Sequence, residues 1–264
     1  GDHSGNAGRI QEESGATIYV HSRDAPLVEY NERAYEEMYA TQRDLFRKWG
    51  MPQAKRDVLV SRFHSTPEGT APDVKPFSDG DTFSIGGQTL TVVHTPGHTA
   101  GLSCFRLERD GQLGIFSGDT LLPVYTPNVG GADVRVSRPL ERYLDSLLEI
   151  IDVGYDIAWP GHRTPIDEPA ERANEIIRHH EERAWRVLDV LQRRGPSTPW
   201  EISAALFGEL EGIHIKHGPG EVYAHLDHLE RNGDVESSNG TYRVSATTDA
   251  RMEETDGERR WSVV

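Results

Sequence analysis

The pattern of hydrophobic and polar positions along the 264 residues predicts a chain that mixes strands with helices. Two strand-like runs, 81–85 and 88–93, flank the pair Gly86-Gly87, and this arrangement predicts a β-hairpin because glycine adopts the positive φ of a tight turn. Leucine and isoleucine recur on one stripe of the segment 139–152, which is typical of an amphipathic helix. Further strands are predicted at 16–21, 102–107, 113–116 and 155–159, helices at 5–14 and 25–49, and loops at 65–80 and 123–138.

The C-terminal third follows a different order of elements. A long charged helix is predicted over 168–194, ended by Gly195-Pro196. A helix over 198–207, capped by Thr198, and a second over 220–232 precede a hairpin whose Asn239-Gly240 pair favours a type I′ turn. Helix, helix and hairpin in this order are typical of a winged-helix module. The last sixteen residues are predicted to be a loose polar tail.

Composition narrows the class of protein. The formal net charge is −15, and only four of the 28 basic residues are lysine. An acidic, lysine-poor composition supports the hypothesis of a halophilic protein, and it disfavours binding to RNA or DNA. The single cysteine and the lack of a visible signal peptide favour a cytoplasmic location. No apolar run has the length of a membrane span, so no membrane partner is predicted. With Cys104 as its single cysteine, the chain is predicted to hold no internal disulfide and no cysteine-rich zinc site.

Three short segments combine a metal-binding residue type with glycine directly after a predicted strand. They are His94-Thr-Pro-Gly-His98, Ser117-Gly118-Asp119 and Pro160-Gly161-His162. Functional groups often lie in loops at strand ends, where glycine allows the backbone to approach a ligand closely. Each segment alone is more often an ordinary turn, but the three in this order are specific. Imidazole and carboxylate ligands without thiolate suit Zn²⁺, Fe or Mn²⁺.

Together with the Asp2-His3 pair at the start, these segments resemble the metallo-β-lactamase superfamily. That family carries a His-x-His-x-Asp-His motif, whose last two residues Asp2 and His3 fit, followed by ligands that His98, Asp119 and His162 fit. The resemblance implies an α/β fold, an αββα sandwich, followed by a small winged-helix domain. We therefore expect a catalytic domain over 1–167 lacking its N-terminal strands, a connecting helix over 168–195, the winged helix over 196–248 and the polar tail over 249–264. The two histidines before Asp2 are absent, so we expect the natural protein to extend upstream by several tens of residues.

The same resemblance implies a centre of two divalent metal ions, with Zn²⁺ favoured. Asp2, His3 and His162 would hold one ion, His98 and the two absent histidines the other, and Asp119 would bridge both. A hydroxide shared by the two ions would be the nucleophile, with Asp2 and Asp119 as the catalytic carboxylates. Cys104 is predicted to be a buried strand residue rather than a nucleophile.

The motifs leave three functions open. They resemble glyoxalase II, which implies hydrolysis of a small thioester or ester, whereas the winged-helix tail resembles that of a β-lactamase-like endoribonuclease subgroup. Residues 196–264 carry six bases against thirteen acids, which counts against a phosphate-binding face. We therefore favour a small-molecule hydrolase, and assign the C-terminal region to packing, closure of the pocket or formation of a homodimer. An iron-dependent sulfur dioxygenase or a catalytically impaired binding protein is the third alternative.

Several further side chains are candidates for supporting roles. The loop between two of the ligands is expected to border the cleft, so Tyr125, Asn128 and Arg135 are predicted substrate contacts. The remaining histidines are expected to face solvent or the pocket rim, and a second metal site among them is the less favoured alternative. They are His179, His180, His214, His217, His225 and His228.

Overall fold

The elements alternate between strand and helix in the computed structural model, which describes residues 3–63, 69–254 and 259–264. Its helices are α1 (Ala7–Ser14), α2 (Ala25–Val28), α3 (Glu32–Lys48), α4 (Gln53–Phe63), α5 (Pro139–Val153), α6 (Pro169–Arg194), α7 (Pro199–Phe207), α8 (His214–Arg231) and α9 (Ala246–Glu254). Its strands are β1 (Ile18–His21), β2 (Val74–Phe77), β3 (Thr82–Ile85), β4 (Gln88–His94), β5 (Ser103–Arg109), β6 (Gln112–Gly118), β7 (Ile157–Pro160), β8 (Val235–Ser238) and β9 (Thr241–Val244). In the described part of the chain, none of these helices combines the length and the apolarity that crossing a bilayer requires.

The larger sheet has five strands in the order β3-β4-β5-β6-β7. Neighbours are antiparallel except β6 and β7, which run parallel. The predicted hairpin is confirmed: β3 and β4 are joined at Gly86 and Gly87, with φ of 57° and 80°. Because β4, β6 and β7 point the same way, their carboxyl ends lie at one edge of the sheet.

The two faces of this sheet meet different layers. Cys104, Ile115 and Ala158 are fully buried and belong to the same apolar cluster as Tyr143 and Leu147 of α5. On the other face, aromatic side chains join the sheet to the parallel pair β1–β2: Phe77 of β2 lies 5.7 Å from Phe105 and 5.8 Å from Phe83, between ring centroids. Helix α2 contacts β1 and β2 in turn. These layers confirm the predicted αββα fold.

The C-terminal elements pack directly onto this sandwich. The 26-residue helix α6 contributes Leu188 to the apolar cluster that also holds Val222 and Leu226 of α8 and the core beneath the large sheet. The cap of α7 is a full capping box, in which Thr198 and Glu201 exchange hydrogen bonds. The predicted order of helix, helix and hairpin is present, and the assignment of this unit to the winged-helix class stays a prediction.

Two segments differ from the sequence-based expectation in the first half of the chain. The helical region 25–49 is broken between α2 and α3, where Tyr30 adopts a φ of 54° and Asn31 caps α3 by accepting a hydrogen bond from Ala34 N. The predicted loop 65–80 contains β2, while residues 64–68 lie outside the described residues. Strand β2 forms by parallel pairing with β1, a contact between distant segments that no local pattern reveals.

Helix α8 begins six residues earlier than expected, at His214 rather than at 220. Glycine and proline weaken a helix interior, yet α8 contains Gly218-Pro219-Gly220 within its first half. In the fold these small residues are needed for packing: a Cβ on Gly220 would lie 2.3 Å from the Cα of Gly131. Tertiary contact therefore overrides intrinsic propensity at this turn.

The expectation of a loose tail is wrong for the described residues. Helix α9 covers 246–254, and the Trp261 and Val263 side chains are buried. Trp261 donates from Nε1 to Asp234 Oδ2 at 3.0 Å, and the Arg251 guanidinium lies 4.4 Å from the indole centroid. A few apolar residues in a polar segment are enough to attach it to the core.

Replacing Trp261 with alanine is expected to lower the free energy of unfolding by about 3 kcal/mol, the usual cost of deleting a buried aromatic side chain. Trp261→Phe, which keeps most of the apolar volume, is the matched control and should lose much less. Urea denaturation followed by circular dichroism measures both. A loss below about 1 kcal/mol for the alanine variant would contradict the packing of this segment.

Candidate metal centre

Three loops bring the predicted ligands to one edge of the large sheet. His98 follows β4, Asp119 follows β6 and His162 follows β7, and these strands end at the same edge. His3 approaches the same point from the start of the chain. Asp2 lies outside the described residues, so its predicted place in the centre stays a prediction.

The Asp119 carboxylate is the centre of the arrangement. Its Oδ2 lies 3.2 Å from His3 Nε2 and 3.6 Å from His98 Nε2, and its Oδ1 lies 3.7 Å from His162 Nε2. One ligand atom each from His3, Asp119 and His162 falls within 4.8 Å of the others, a spacing that a single metal ion can satisfy.

The Asp119 carboxylate is unusually buried for an acidic group that has no bound cation. The residue is 8% exposed, and its Oδ1 is buried with no hydrogen-bond partner among the described residues. A buried carboxylate oxygen without a partner carries a desolvation penalty that a bound cation removes. The residues present therefore fit a divalent metal.

Glycine makes the approach of the loops to Asp119 possible. Gly161 N donates to Gly118 O at 2.8 Å, which joins the loop after β7 to the loop after β6. A Cβ on Gly161 would lie 2.8 Å from Asp119 Oδ1 and 3.0 Å from His3 Cε1. Any side chain at this position would intrude between the ligands.

The loop that carries His98 is fixed at both ends. Thr95 and Thr120 share a hydrogen bond of 2.7 Å between their hydroxyl groups. The ring of His94 contacts the Ala100 carbonyl at 2.9 Å, and Ala100 N donates to Asp133 Oδ2. The loop is therefore held independently of any ligand.

Comparison with known proteins agrees with this geometry. The profile of the metallo-beta-lactamase superfamily matches residues 1–162, more than half of the chain. The chain belongs to the metallo-beta-lactamase superfamily. A lactamase-like protein, nscB of Aspergillus fumigatus, is 35% identical over 186 residues, which cover 57% of this chain and 53% of the relative.

Solved structures of this superfamily share the fold. A metallo-beta-lactamase family protein from Thermus thermophilus superposes with a TM-score of 0.73 at 30% identity, covering 92% of this chain and 76% of that one. A beta-lactamase domain protein from Burkholderia ambifaria gives 0.64 at 26% identity, over 76% of this chain and 60% of that one. The chain spans about half the length of the curated relatives it matches. The superfamily consists typically of metal-dependent hydrolases.

The metallo-beta-lactamase centre of this chain opens into a cleft of about 1840 Å³. The predicted contacts Tyr125, Asn128 and Arg135 all line it. Tyr125 is an exposed side chain at its wall. Asn128 and Arg135 make several hydrogen bonds within the protein, and Arg135 binds the carboxylates of both Asp24 and Asp133. Direct contact of these three residues with a substrate stays a prediction.

Cys104 matches its prediction as a structural residue. It is fully buried within β5, and burial raises the pKa of its thiol to about 11. A thiol with this pKa is protonated near neutral pH and is a poor nucleophile. Cys104 is therefore not a candidate nucleophile.

The prediction for the histidines of the C-terminal helices is wrong for three of them. His180, His225 and His228 are buried, and His180 Nδ1 lies 3.2 Å from His225 Nε2 across the α6–α8 contact. Burial lowers the pKa of His225 to about 3, so the ring is neutral. The described residues hold no second group of three or more ligand atoms close enough for a metal.

Sequence reasoning also missed Glu221, which lines the cleft, and its ion-pair partner Arg183. Their side chains are 16% and 11% exposed, and Arg183 NH1 donates to Glu221 Oε1 at 2.6 Å. A glutamate and an arginine on helices usually indicate a solvated face, so no local signal marks them.

Proposed function

We propose that this chain carries the active site of a metal-dependent hydrolase that acts on a small thioester or ester. The observation that supports the proposal is the buried carboxylate of Asp119, which faces three imidazole nitrogens at the floor of an open cleft. His3, His162 and Asp119 would hold one divalent ion, and His98 would hold a second with Asp119 as the bridge. We propose Zn²⁺ for both.

The protein contributes placement and charge to this chemistry. Divalent ions in such a site supply Lewis-acid activation of water and of the scissile group. His98 is held in a single orientation, because its Nδ1 donates to the Asn128 carbonyl at 2.7 Å and its Nε2 faces Asp119. The thiol of Cys104 is buried and protonated, so it is not the nucleophile in this proposal.

The charge of the cleft favours a small substrate over RNA. Arg135 and Lys216 are the cations among the described residues that line it, and Arg135 is paired with Asp24 and Asp133. A cleft that follows a phosphate backbone needs several cations, because each neutralised phosphate contributes to affinity. The acidic C-terminal region contributes only one cation, Lys216, to this lining among the described residues.

The full-length protein loaded with Zn²⁺ is expected to hydrolyse a small S-acyl thioester, and not single-stranded RNA, when both are assayed side by side. Removal of the metal with a chelator should abolish turnover, and added Zn²⁺ should restore it, because the histidines and Asp119 are otherwise without a Lewis acid. The free thiol released is measured with a chromogenic thiol reagent at low and high salt. Cleavage of RNA with no thioester turnover, in protein shown to contain metal, would contradict the small-molecule proposal and favour the endoribonuclease.

A further inference from the structure

A hydrogen bond of Nδ1, the ring nitrogen that does not face Asp119, orients the His98 side chain. His98 Nδ1 lies 2.7 Å from the Asn128 backbone oxygen, which can only accept, so the neutral ring carries its hydrogen on Nδ1. The lone pair of Nε2 therefore points toward Asp119, as a metal ligand requires. The position of the Asn128 carbonyl decides the orientation of this imidazole.

Asn128 is itself held from the C-terminal helix. Its Nδ2 donates to Glu221 Oε2 and to the His217 carbonyl of α8, both at 3.2 Å. Its Oδ1 accepts from Gly131 N at 3.1 Å, which closes the loop on itself. Among the described residues, two of the three side-chain hydrogen bonds of Asn128 thus connect it to α8.

Glu221 is fixed by its ion pair with Arg183 of α6, across the helix contact. The Arg183 guanidinium also lies 4.7 Å from the Phe207 ring centroid, which restricts its orientation. Burial raises the pKa of Glu221, while the Arg183 charge and the Asn128 hydrogen bond lower it. Among the described residues, the Glu221 side chain therefore has one cation, Arg183, and one amide, Asn128, as its hydrogen-bond partners.

Close backbone packing also makes the contact between the Asn128 loop and α8 rigid. A Cβ added to Gly220 would lie 2.3 Å from Gly131 Cα, and one added to Gly131 would lie 2.6 Å from His217 Cα. The loop and α8 are therefore in direct backbone contact beside the Asn128 side chain. A displacement of α8 must move the loop that carries the Asn128 carbonyl.

We propose that Glu221, held by Arg183, is a positioning residue for the metal ligand His98, so that helices α6 and α8 of the C-terminal unit set the metal affinity of the centre. This inference rests on the proposed metal-dependent function. It concerns binding of the ion before any substrate arrives, so it is measured without turnover.

The test uses the full-length protein with Zn²⁺ alone, and compares Glu221→Ala and Glu221→Gln with the wild type. Glu221→Ala is expected to weaken binding of the Zn²⁺ that His98 would hold by about 10-fold or more, the usual cost of losing a group that orients a ligand. Glu221→Gln keeps an oxygen acceptor for Asn128 and should recover part of that affinity. Competition with a chromophoric chelator gives the affinities, and the visible spectrum of the Co²⁺-loaded protein reports the ligand geometry.

Two further variants separate positioning from stability. Glu230→Gln removes the same charge from an exposed site on α8, and should leave both affinity and spectrum unchanged. Asn128→Ala removes the side-chain hydrogen bonds between the His98-supporting loop and α8 while leaving α6 and α8 intact. It should therefore weaken Zn²⁺ binding as Glu221→Ala does. The Asn128→Ala variant also tests the positioning role if the Glu221 variants do not fold.

Wild-type Zn²⁺ affinity and an unchanged Co²⁺ spectrum in folded Glu221→Ala or Asn128→Ala would overturn the positioning role. His98→Ala tests the proposed function separately. If that variant also binds two Zn²⁺ ions as the wild type does, the metal centre itself has been assigned wrongly. If His98→Ala weakens Zn²⁺ binding and Asn128→Ala does not, the positioning role is rejected while the proposed metal centre stands.

Discussion

Asp119→Ala is expected to lower kcat/KM for thioester hydrolysis by about a thousandfold or more, equivalent to about 4 kcal/mol of transition-state stabilisation. Asp119 lies between His3, His98 and His162, so it is the one described side chain that both proposed ions would share. Its loss should therefore reduce the bound metal as well as the rate. Steady-state kinetics and metal analysis of the same purified sample measure the two effects.

The stability of the metal-free Asp119→Ala protein gives an independent check. Because Asp119 Oδ1 is buried without a hydrogen-bond partner among the described residues, its removal should change the free energy of unfolding by less than about 1 kcal/mol. Asp145→Ala, an exposed aspartate on α5, is the control and should leave metal content and rate unchanged. Full activity in Asp119→Ala would reject the metal centre as the catalytic site.

Gly97→Ala is expected to destabilise the protein by about 3 kcal/mol and to weaken metal binding at the same time. Gly97 has a φ of 149°, a conformation that residues with a side chain rarely adopt. Its added Cβ would lie 2.4 Å from Tyr143 Cβ and 2.7 Å from Tyr143 Cα, so neither rotation of the ring nor a new rotamer relieves the clash. Tyr143 is fully buried and donates to the Thr120 carbonyl, so α5 cannot move away from the loop without losing these contacts.

The control for Gly97 is Gly87→Ala in the β3–β4 turn. Gly87 has a φ of 80°, and an added Cβ meets nothing within 4 Å, so this variant measures the cost of a positive φ without a clash, about 1–2 kcal/mol. Urea denaturation and Zn²⁺ titration of both proteins separate backbone strain from the clash. Equal losses in the two variants would mean that the loop before His98 is not packed against α5 as described.

The ligand loops could be predicted from the sequence because their signal is local. His98, Asp119 and His162 each combine a metal-binding side chain, a neighbouring glycine and a strand end within a few residues. The sheet order then brings them together, since β4, β6 and β7 share a direction. The hairpins at Gly86-Gly87 and Asn239-Gly240 were predictable for the same reason: a turn that needs positive φ favours these residues.

The supporting residues could not be predicted because their roles arise from packing between distant helices. Glu221 and Arg183 are 38 positions apart and become buried only when α6 and α8 meet. His180 and His225 lie in charged or mixed segments, and their burial depends on the same contact. The start of α8 is not predictable from intrinsic helix propensity. Glycine at 218 and 220 allows close packing against a neighbouring helix and loop, and propensity does not include such contacts.

The continuity of the core through α6 has a consequence for how this protein can diverge. Domains joined by flexible linkers can be exchanged by recombination, because each keeps its own core. Here α6 contributes to one apolar cluster shared with the large sheet and with α8, and α8 also supports the loop beside His98. An unrelated C-terminal unit would remove that shared core and the support of the ligand. A substitution on one side of α6 is therefore expected to need a compensating substitution on the other side.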